Sequence, residues 1–353
     1  MLNRDCKYFR GDLPCKPHKL KGYHCDDCPE YEVFESRILI IKLGAAGDVI
    51  RSTVILHELR NKFPDAEITW LTEYPILVPK KFVDNILKWN DKTTVWLLAN
   101  EFDLLINLDK DPHALALAKQ VKAAEKKGYL PDKFGKCAPA DENAIHKFTT
   151  GIWDDKCIEN RKSYPQEAIE ILGYKYNFQK YILELPKIKD DFSFPTDKKI
   201  IGLNTGCGTR WLTRLWGEKN WIELSKRLSD LGFFPILLGG PTEDKLNENI
   251  ASACPANYYG YFSLDKFLHL VNHCDLVVTS VTMAMHIAIG FEKKIVLLNN
   301  IFNKYEFELY GLGEILEPDD RNCLVCYKNS CERECMSTIS VDRVLDSILK
   351  LFK

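Results

Sequence analysis

Asp48 is the first residue whose type and position could perform group-transfer chemistry. It ends a loop of small residues in which Gly44 and Gly47 permit a tight turn and a close approach of a ligand to the backbone. A carboxylate near the start of a helix is favoured in its ionised form and can accept the proton of an attacking hydroxyl group. Helix capping also suits an aspartate there, so the spacing leaves a catalytic base and a cap as alternatives.

A second loop, at residues 204–208, contains Thr205 and Gly206 and is followed by Arg214. Glycine-rich loops direct backbone N–H groups at phosphate oxygens, and a guanidinium group can bind phosphate with two hydrogen bonds. This pattern predicts a diphosphate site. The alternative is an ordinary turn followed by an amphipathic helix whose tryptophans lie in the core.

Eight of the thirteen cysteines fall in two groups near the ends of the chain. The groups are Cys6, Cys15, Cys25 and Cys28, and Cys323, Cys326, Cys331 and Cys335. In a reducing compartment, grouped thiols bind metal more often than they form disulfides, and these spacings suit structural zinc or iron. Residues 1–36 have little apolar content, so a metal would explain how they fold. The alternative is that the cysteines are incidental, those near the N-terminus lying on a flexible arm.

The composition argues against several classes of protein. A formal net charge of -2 over 353 residues creates no basic field that would attract nucleic acid. No stretch approaches the ~18 apolar residues that a membrane-spanning helix needs, and residues 1–21 do not resemble a signal peptide. A cytoplasmic protein is predicted, with peripheral attachment to a membrane face left open.

Short apolar runs alternate with helical patterns on both sides of a linker predicted at residues 185–197. Strands are predicted at 38–43, 66–71, 86–89, 104–108, 199–203, 235–238, 275–279 and 294–298, and helices at 49–63, 113–126, 221–231, 264–271, 284–290 and 341–352. This alternation predicts an α/β fold with parallel sheets. The predicted divisions are a cysteine-rich N-terminal extension (1–36), an N-terminal domain (37–190) and a C-terminal domain (191–353). Ligands of such sheets bind beyond the carboxyl ends of the strands, where both loops lie.

The first of these loops resembles the opening of a known enzyme family. Residues 38–53 read ILIIKLGAAGDVIRST, and FPDAEI follows at 63–68. They are similar to the start of glycosyltransferase family 9, the ADP-heptose:lipopolysaccharide heptosyltransferases. The resemblance implies a GT-B fold of two Rossmann-like domains facing a central cleft. It also implies that Asp48 is the catalytic base and that Gly44, Gly47 and Arg51 belong to the acceptor-side loop.

The second half resembles the donor-binding half of the same family. The stretch TRLWGEKNW at 213–221 is similar to the family's Lys-x-Trp-Pro-x-Glu-x-Trp, with Arg214 at the lysine position and with Gly217 and Lys219 as departures. The resemblance implies that Thr205, Gly206 and Arg214 contact the donor diphosphate. LLGGPTE at 237–243 resembles the family's Gly-Gly-Pro strand end, which implies that Glu243 accepts from ribose hydroxyls, a solvated surface glutamate being the alternative.

The stretch SVTMAMH at 280–286 departs most from the family's Asp-Thr/Ser-Gly-Pro-Met-His. Val281 stands at the aspartate, which binds sugar hydroxyls in the family, and Met283 stands at the glycine. The resemblance implies that Thr282, Met283 and His286 bind the donor, while a buried histidine with satisfied hydrogen bonds is the alternative for His286. Backbone N–H groups at the helix start can still meet a diphosphate.

The resemblance implies an inverting glycosyltransferase that moves a sugar, heptose, from an ADP-linked nucleotide diphosphate sugar to an acceptor hydroxyl in lipopolysaccharide core or a related glycan. A glycan or glycolipid acceptor, catalysis without a divalent metal, and a cytoplasmic location at the inner face of the inner membrane go with it. The oligomeric state is not implied. Two alternatives are a nucleotide-binding family member with an altered donor or without transferase activity, and another GT-B enzyme such as a nucleotide-sugar epimerase.

Overall fold

The structure is a computed structural model that describes residues 1–320 and 324–353. These residues form two compact units, each containing its own sheet. The first unit comprises Met1–Gly44, Ile55–Ile145 and Ile169–Tyr174, and the second comprises Ala45–Val54, His146–Ala168 and Lys175–Lys353. The units are interleaved along the chain, and the predicted domain boundaries after residues 36 and 190 stay predictions.

The first half of the chain alternates strands and helices. In chain order its elements are α1 (Lys16–Lys21), β1 (Ser36–Ile41), α2 (Ala46–Ser52), α3 (Ile55–Lys62), β2 (Ala66–Thr72), β3 (Asn85–Lys88), α4 (Asp91–Leu98), β4 (Glu101–Asn107), α5 (Pro112–Gln120), β5 (Lys122–Pro131), β6 (Cys137–Pro139), α6 (Ile145–Thr150), α7 (Asp154–Glu159) and α8 (Tyr164–Ile171). One-turn 3-10 helices lie at Pro75–Leu77 and Glu142–Ala144.

The sheet of the first unit has the strand order β3-β2-β1-β4-β5-β6. Only β5 and β6 pair antiparallel among these neighbours. Strand β1 lies between β2 and β4, and its residues Ile38, Leu39, Ile40 and Ile41 are fully buried. An inner strand of a parallel sheet is covered on both faces, so it needs such an uninterrupted apolar run.

The predicted helix at 113–126 is wrong in its second half. Helix α5 ends at Gln120, and the following residues form β5, which pairs with β4 in parallel from Lys122 opposite Glu101 to Gly128 opposite Asn107. The run KAAEKK favours a helix locally, but the hydrogen-bonded pairing with β4 overrides that weak preference. Gly128 has a φ of +86°, and a Cβ there would meet the Asn107 carbonyl oxygen at 2.0 Å.

The predicted helix at 49–63 is interrupted, with α2 ending at Ser52 and α3 beginning at Ile55. The Thr53 hydroxyl donates to the Ile50 carbonyl at 2.6 Å and accepts from the backbone N–H of Ile182 at 2.8 Å. Side-chain hydroxyls that bond to nearby backbone groups compete with helical hydrogen bonds. The interruption therefore sets α2 apart as a short helix of its own.

The second half of the chain repeats the alternation. Its elements are β7 (Ile200–Asn204), α9 (Glu218–Asp230), β8 (Phe234–Leu238), α10 (Asp244–Ala253), α11 (Leu264–His273), β9 (Leu276–Ser280), α12 (Met283–Gly290), β10 (Lys294–Leu298), β11 (Gly313–Leu316) and α13 (Val341–Leu351), with 3-10 helices at Leu212–Arg214, Lys304–Glu306 and Cys335–Thr338.

The sheet of the second unit has the order β11-β10-β9-β7-β8, and all of its neighbours are parallel. The predicted α/β fold with parallel sheets is thus confirmed. Trp216 and Trp221 lie in the core beside α9 and α13, with ring centroids 4.8 Å apart in an edge-to-face arrangement. The Trp216 indole donates to the Ile339 carbonyl at 2.7 Å. Both tryptophans therefore lie in the core, as the alternative interpretation of this stretch predicted.

The predicted linker at 185–197 contains no helix or strand, but its side chains contact other residues of the second unit. Asp190 Oδ2 lies 2.7 Å from His273 Nε2 and 3.3 Å from His269 Nδ1, both on α11. Phe192 and Phe194 pack against the ring of Tyr259. Among residues 1–320 and 324–353, no helix combines the length and apolar character needed to cross a membrane.

Candidate active site

The loop that follows β1 is held at its start by a buried aspartate of the first unit. Asp109 Oδ2 accepts from the backbone N–H groups of Leu43 at 3.0 Å and Gly44 at 3.3 Å. It also lies 3.3 Å from Lys42 Nζ in a buried ion pair. The local sequence around Asp109 gave no signal of this contact, because its partners are more than 60 residues away.

Asp48 lies in the first turn of α2, and its carboxylate is 32% exposed. The residue at the N-cap of α2 is Ala45, so Asp48 is not itself the N-cap residue. Asp48 Oδ1 forms an ion pair with Arg51 Nη2 at 2.8 Å, one helical turn further along. A cation beside a carboxyl group favours its ionised form, which is the form that can accept a proton.

Arg51 is the cation of this pair, and its side chain is 13% exposed. Burial lowers the pKa of Arg51, but the Asp48 carboxylate raises it, followed by Tyr164 and Glu306, and the net change is upward. The guanidinium group is therefore a permanent positive charge next to Asp48.

Gly47 lies against the imidazole ring of His286 on α12. A Cβ at position 47 would be 2.5 Å from His286 Cδ2, so glycine is required for this contact. His286 is 6% exposed, and its Nδ1 has no hydrogen-bond partner among the described residues. Burial and the charge of Arg51 lower the pKa of His286 to about 3, while Asp48 opposes them. His286 is thus neutral at physiological pH. The alternative prediction was a buried histidine whose ring nitrogens both have hydrogen-bond partners, and among the described residues Nδ1 has none.

The loops after β7, β8 and β9 meet at the carboxyl ends of these strands. Thr205 Oγ1 donates to Asn247 Oδ1 at 2.6 Å, and both residues are buried. Asn204 Nδ2 lies within hydrogen-bond distance of Gly206 O and of Thr282 Oγ1, at 3.2 and 3.3 Å. The predicted donor residues Thr205, Gly206 and Thr282 are thereby brought together.

Glu243 lies against the glycine of the first of these loops. A Cβ at Gly206 would be 2.2 Å from Glu243 Cγ. Glu243 Oε2 accepts from the backbone N–H of Gly240 at 2.9 Å, and Oε1 accepts from the Thr242 hydroxyl at 2.8 Å. A carboxylate has about four acceptor positions, so Glu243 keeps capacity for hydroxyl donors of a ligand.

Arg214 is buried, with 7% of its surface exposed. Its guanidinium group donates to the carbonyl oxygens of Cys207 at 2.5 Å, of Trp211 at 3.4 Å, and of Val281. Burial lowers the pKa of Arg214. Its acceptors among the described residues are neutral carbonyls, so Arg214 places a buried positive charge between the loops after β7 and β9. The prediction that it contacts phosphate directly stays a prediction.

Helix α12 begins beside this charge. Its N-cap is Thr282, whose side chain makes no capping hydrogen bond. Met283 and Val281 are partly exposed. The first N–H groups of a helix lack partners within the helix, so the start of α12 offers donors to an anion.

The cysteine groups do not form a metal site in the part of the chain that the structure describes. No three or more His, Cys, Asp or Glu side chains there are arranged to hold a metal ion. The metal prediction for Cys6, Cys15, Cys25 and Cys28 is therefore not supported. Of the second group, Cys323 lies outside the described residues, and Cys326, Cys331 and Cys335 are free thiols.

Several residues of the site escaped the sequence analysis. Asn247 supports Thr205 from α10, and Tyr164 packs against Arg51 from α8. Neither lies in a motif. Asn204 is the first residue of the predicted loop at 204–208, but no role was predicted for its side chain.

The sequence is similar to those of known glycosyltransferases. Residues 94–336 match the family described as Glycosyltransferase family 9 (heptosyltransferase). The chain is 24% identical over 284 residues to the lipopolysaccharide core heptosyltransferase OpsX of Haemophilus influenzae, which covers 71% of this chain and 75% of that protein.

Two solved structures show the same fold. The glycosyl transferase family 9 protein of Veillonella parvula aligns with a TM-score of 0.70 and 18% identity, over 90% of this chain and 97% of that one. The heptosyltransferase WaaC of E. coli, solved with ADP, aligns with a TM-score of 0.65 and 15% identity, over 89% of this chain and 99% of that one. The fold is of the GT-B type, and the chain, matched over most of its length, belongs to glycosyltransferase family 9 and is a glycosyltransferase.

Proposed function

We propose that the enzyme transfers heptose, with inversion, from ADP-heptose to a hydroxyl group of lipopolysaccharide core. The observation that carries the catalytic part is the position of Asp48. It is an accessible carboxylate, ion-paired with Arg51, on a helix that packs through Gly47 against α12 of the donor half. The names of OpsX and of WaaC with ADP support the donor and the acceptor.

In the proposed reaction, the acceptor oxygen attacks the anomeric carbon from the face opposite the diphosphate. Asp48 takes the hydroxyl proton as the new glycosidic bond forms. The bond from the anomeric carbon to the diphosphate oxygen breaks, and the diphosphate leaves with the electron pair. A carboxylate placed within reach of the attacking hydroxyl contributes about 10²- to 10⁴-fold to such a step.

The departing diphosphate carries the charge that the enzyme must stabilise. The N–H groups at the start of α12 and in the loop of Thr205 and Gly206 would donate to it, close to the buried charge of Arg214. Donors fixed in place before the reaction stabilise developing charge without reorganisation. In this scheme protein groups offset the charge, and a divalent metal has no assigned role.

The other donor residues have the chemistry that a nucleotide sugar needs. Glu243 would accept from ribose hydroxyls with the capacity that Gly240 and Thr242 leave free. Val281 has no side-chain acceptor, so backbone groups near Thr282 would hold the sugar hydroxyls. The acceptor is a glycolipid, and the proposed place of action is the cytoplasmic face of the inner membrane.

Asp48→Asn tests the proposal because it keeps the size of the side chain but removes its basicity. We expect transfer from ADP-heptose to truncated lipopolysaccharide to fall by at least about 100-fold. Calorimetry should give an ADP Kd within a few fold of wild type. Unchanged turnover would remove Asp48 from the mechanism.

The wild-type enzyme in the same assay distinguishes the alternatives. ADP binding without any transfer would favour a nucleotide-binding protein that lacks transferase activity, and NMR detection of an isomerised donor would favour an epimerase.

A further inference from the structure

Two residues of helix α2 dock on the side chain of Tyr164, which belongs to α8 and is 8% exposed. The guanidinium carbon of Arg51 lies 3.7 Å from the centroid of the tyrosine ring. The hydroxyl of Ser52 lies 2.9 Å from the tyrosine hydroxyl. Tyr164 therefore contacts α2 with both its face and its edge, on the same helix that carries Asp48.

The guanidinium group of Arg51 contacts the ring of Tyr164 and the carboxylate of Asp48. Its Nε is buried and has no hydrogen-bond partner among the described residues. An arginine side chain has many rotamers, and stacking on an aromatic ring selects the one in which its planar fork meets the carboxylate.

We propose that Tyr164 is a positioning residue for the transfer reaction: acting through Arg51, it holds the Asp48 carboxylate in the orientation that accepts the proton of the acceptor. The inference rests on the proposed role of Asp48. It assigns a function to a buried tyrosine that lies in no motif.

Other charged and titratable groups surround this contact and contribute to its pH dependence. They are Lys147 on α6, Glu167 on α8, His286 on α12, and Tyr181 and Glu306. Lys147 Nζ lies 5.2 Å from the Tyr164 ring and pairs with Glu167 at 2.7 Å. Lys147, the second cation near the ring, thus pairs with Glu167, whereas Arg51 pairs with Asp48.

The test compares Tyr164→Leu, Tyr164→Phe, Arg51→Gln and the double variant Arg51→Gln/Tyr164→Leu. We expect Tyr164→Leu to lower kcat by roughly 10- to 100-fold, because a catalytic group is displaced. The ADP Kd should stay within about twofold, since α12 and the donor loops are intact. Tyr164→Phe keeps the ring under Arg51 and should recover most of the lost activity.

The pH profile separates positioning from a loss of packing. Weakening the contact between Arg51 and Asp48 favours the protonated carboxyl group, so the acidic limb of kcat/KM should move to higher pH in Tyr164→Leu and Arg51→Gln alike. The double variant should be no slower than Arg51→Gln, because Tyr164 acts through Arg51. A matched control is Tyr129→Leu, a buried tyrosine of the first unit with Lys110 over its ring at 5.0 Å. It should lower stability and leave the pH profile in place.

Different results overturn different claims. A Tyr164→Leu enzyme with wild-type kcat and pH profile, or a double variant much slower than Arg51→Gln, would overturn the role of Tyr164. Full transfer by Asp48→Asn would instead overturn the proposed function. If Tyr164→Leu does not fold, Arg51→Lys decides, since it keeps the charge but loses the planar group that stacks. A kcat equal to wild type in that variant would count against the proposal.

Discussion

The backbone of Gly47 and the ring of His286 are in direct van der Waals contact, with no room between them for a methyl group. This contact joins α2, which carries Asp48, to α12, whose first N–H groups are the proposed donors to the diphosphate. The spacing of Asp48, the proposed base, from α12 therefore depends on the absence of a side chain at Gly47 and on the neutral imidazole ring of His286.

Gly47→Ala should push α2 away from α12. We expect kcat to fall by up to about 100-fold from the displacement of Asp48, and stability to fall by about 1–3 kcal/mol from overpacking. The double variant Gly47→Ala/His286→Ala removes the ring that the new methyl group would strike. It should therefore have a higher kcat than Gly47→Ala alone. Steady-state kinetics of the two single variants and the double variant test this, and simple additivity of the losses would show that the contact does not control the position of Asp48.

Gly206→Ala should displace the side chain of Glu243 and leave the fold intact. The new Cβ would lie 2.2 to 2.3 Å from atoms of a flexible glutamate side chain, which can move away at little cost. We expect ADP affinity to fall about as far as in Glu243→Ala, roughly tenfold, with little change in thermal stability. Calorimetry with ADP and thermal unfolding are the measurements. A large loss of stability with normal affinity would show that Gly206 serves the backbone of the loop instead.

Local patterns in the sequence predicted the strands, the two loops and the positions of Asp48 and Thr205. A buried inner strand has to be an uninterrupted apolar run, and a sharp turn after it needs small residues, so both signals are local. The pairing of Tyr164 with Arg51, or of Asn247 with Thr205, joins residues far apart in the chain. No local pattern contains these contacts. The wrongly predicted helix after Gln120 has the same cause. These residues form hydrogen bonds with strand β4, and a local helix preference contains no information about that pairing.

Arg214 is the clearest case of a predicted site residue with an unexpected environment. Its place after the donor loop followed from the motif, but its contact with the Val281 carbonyl depends on a loop 67 residues away. The sequence alone predicted an arginine free to bind phosphate, whereas the guanidinium group already holds two loops together.

Replacing Arg214 should therefore affect both the fold of the loops and donor binding. Arg214→Met leaves the carbonyls of Cys207 and Val281 without their donor, so we expect a stability loss of about 1–3 kcal/mol and a weaker ADP affinity. Arg214→Lys keeps the charge but cannot reach all of the carbonyls. Its free energy of unfolding should therefore fall, while its ADP affinity should fall less than that of Arg214→Met. A suitable control is Arg227→Met, which removes a partly exposed ion pair with Asp342. Equal ADP affinity in Arg214→Met and wild type would show that the buried charge does not serve the donor.

Cys157 and Cys274 should be unreactive thiols, in contrast to the exposed Cys331. Burial raises the pKa of Cys157 to about 12, with a further contribution from Glu306, and burial raises that of Cys274 to about 12 as well. Relative to an ordinary value of 9.0, this leaves about a thousandfold less thiolate at neutral pH. Mass spectrometry after brief alkylation at pH 8 should find Cys331 modified and both buried thiols intact. Rapid labelling of Cys157 in the folded enzyme would contradict its contacts with Glu306 and Tyr327.

The same shift makes the folded enzyme sensitive to alkaline pH. A thiol whose folded pKa lies above its unfolded value stabilises the fold below the unfolded pKa, and the stabilisation is lost as the pH rises towards the folded pKa. The free energy of unfolding should therefore decline between about pH 9 and pH 12, the interval between the two values. Cys157→Ala should reduce the slope of that decline, because this buried thiol no longer titrates on unfolding. Urea titrations of both proteins at pH 8 and pH 10 measure the slope, and identical slopes would show that Cys157 is not the buried acid inferred from its surroundings.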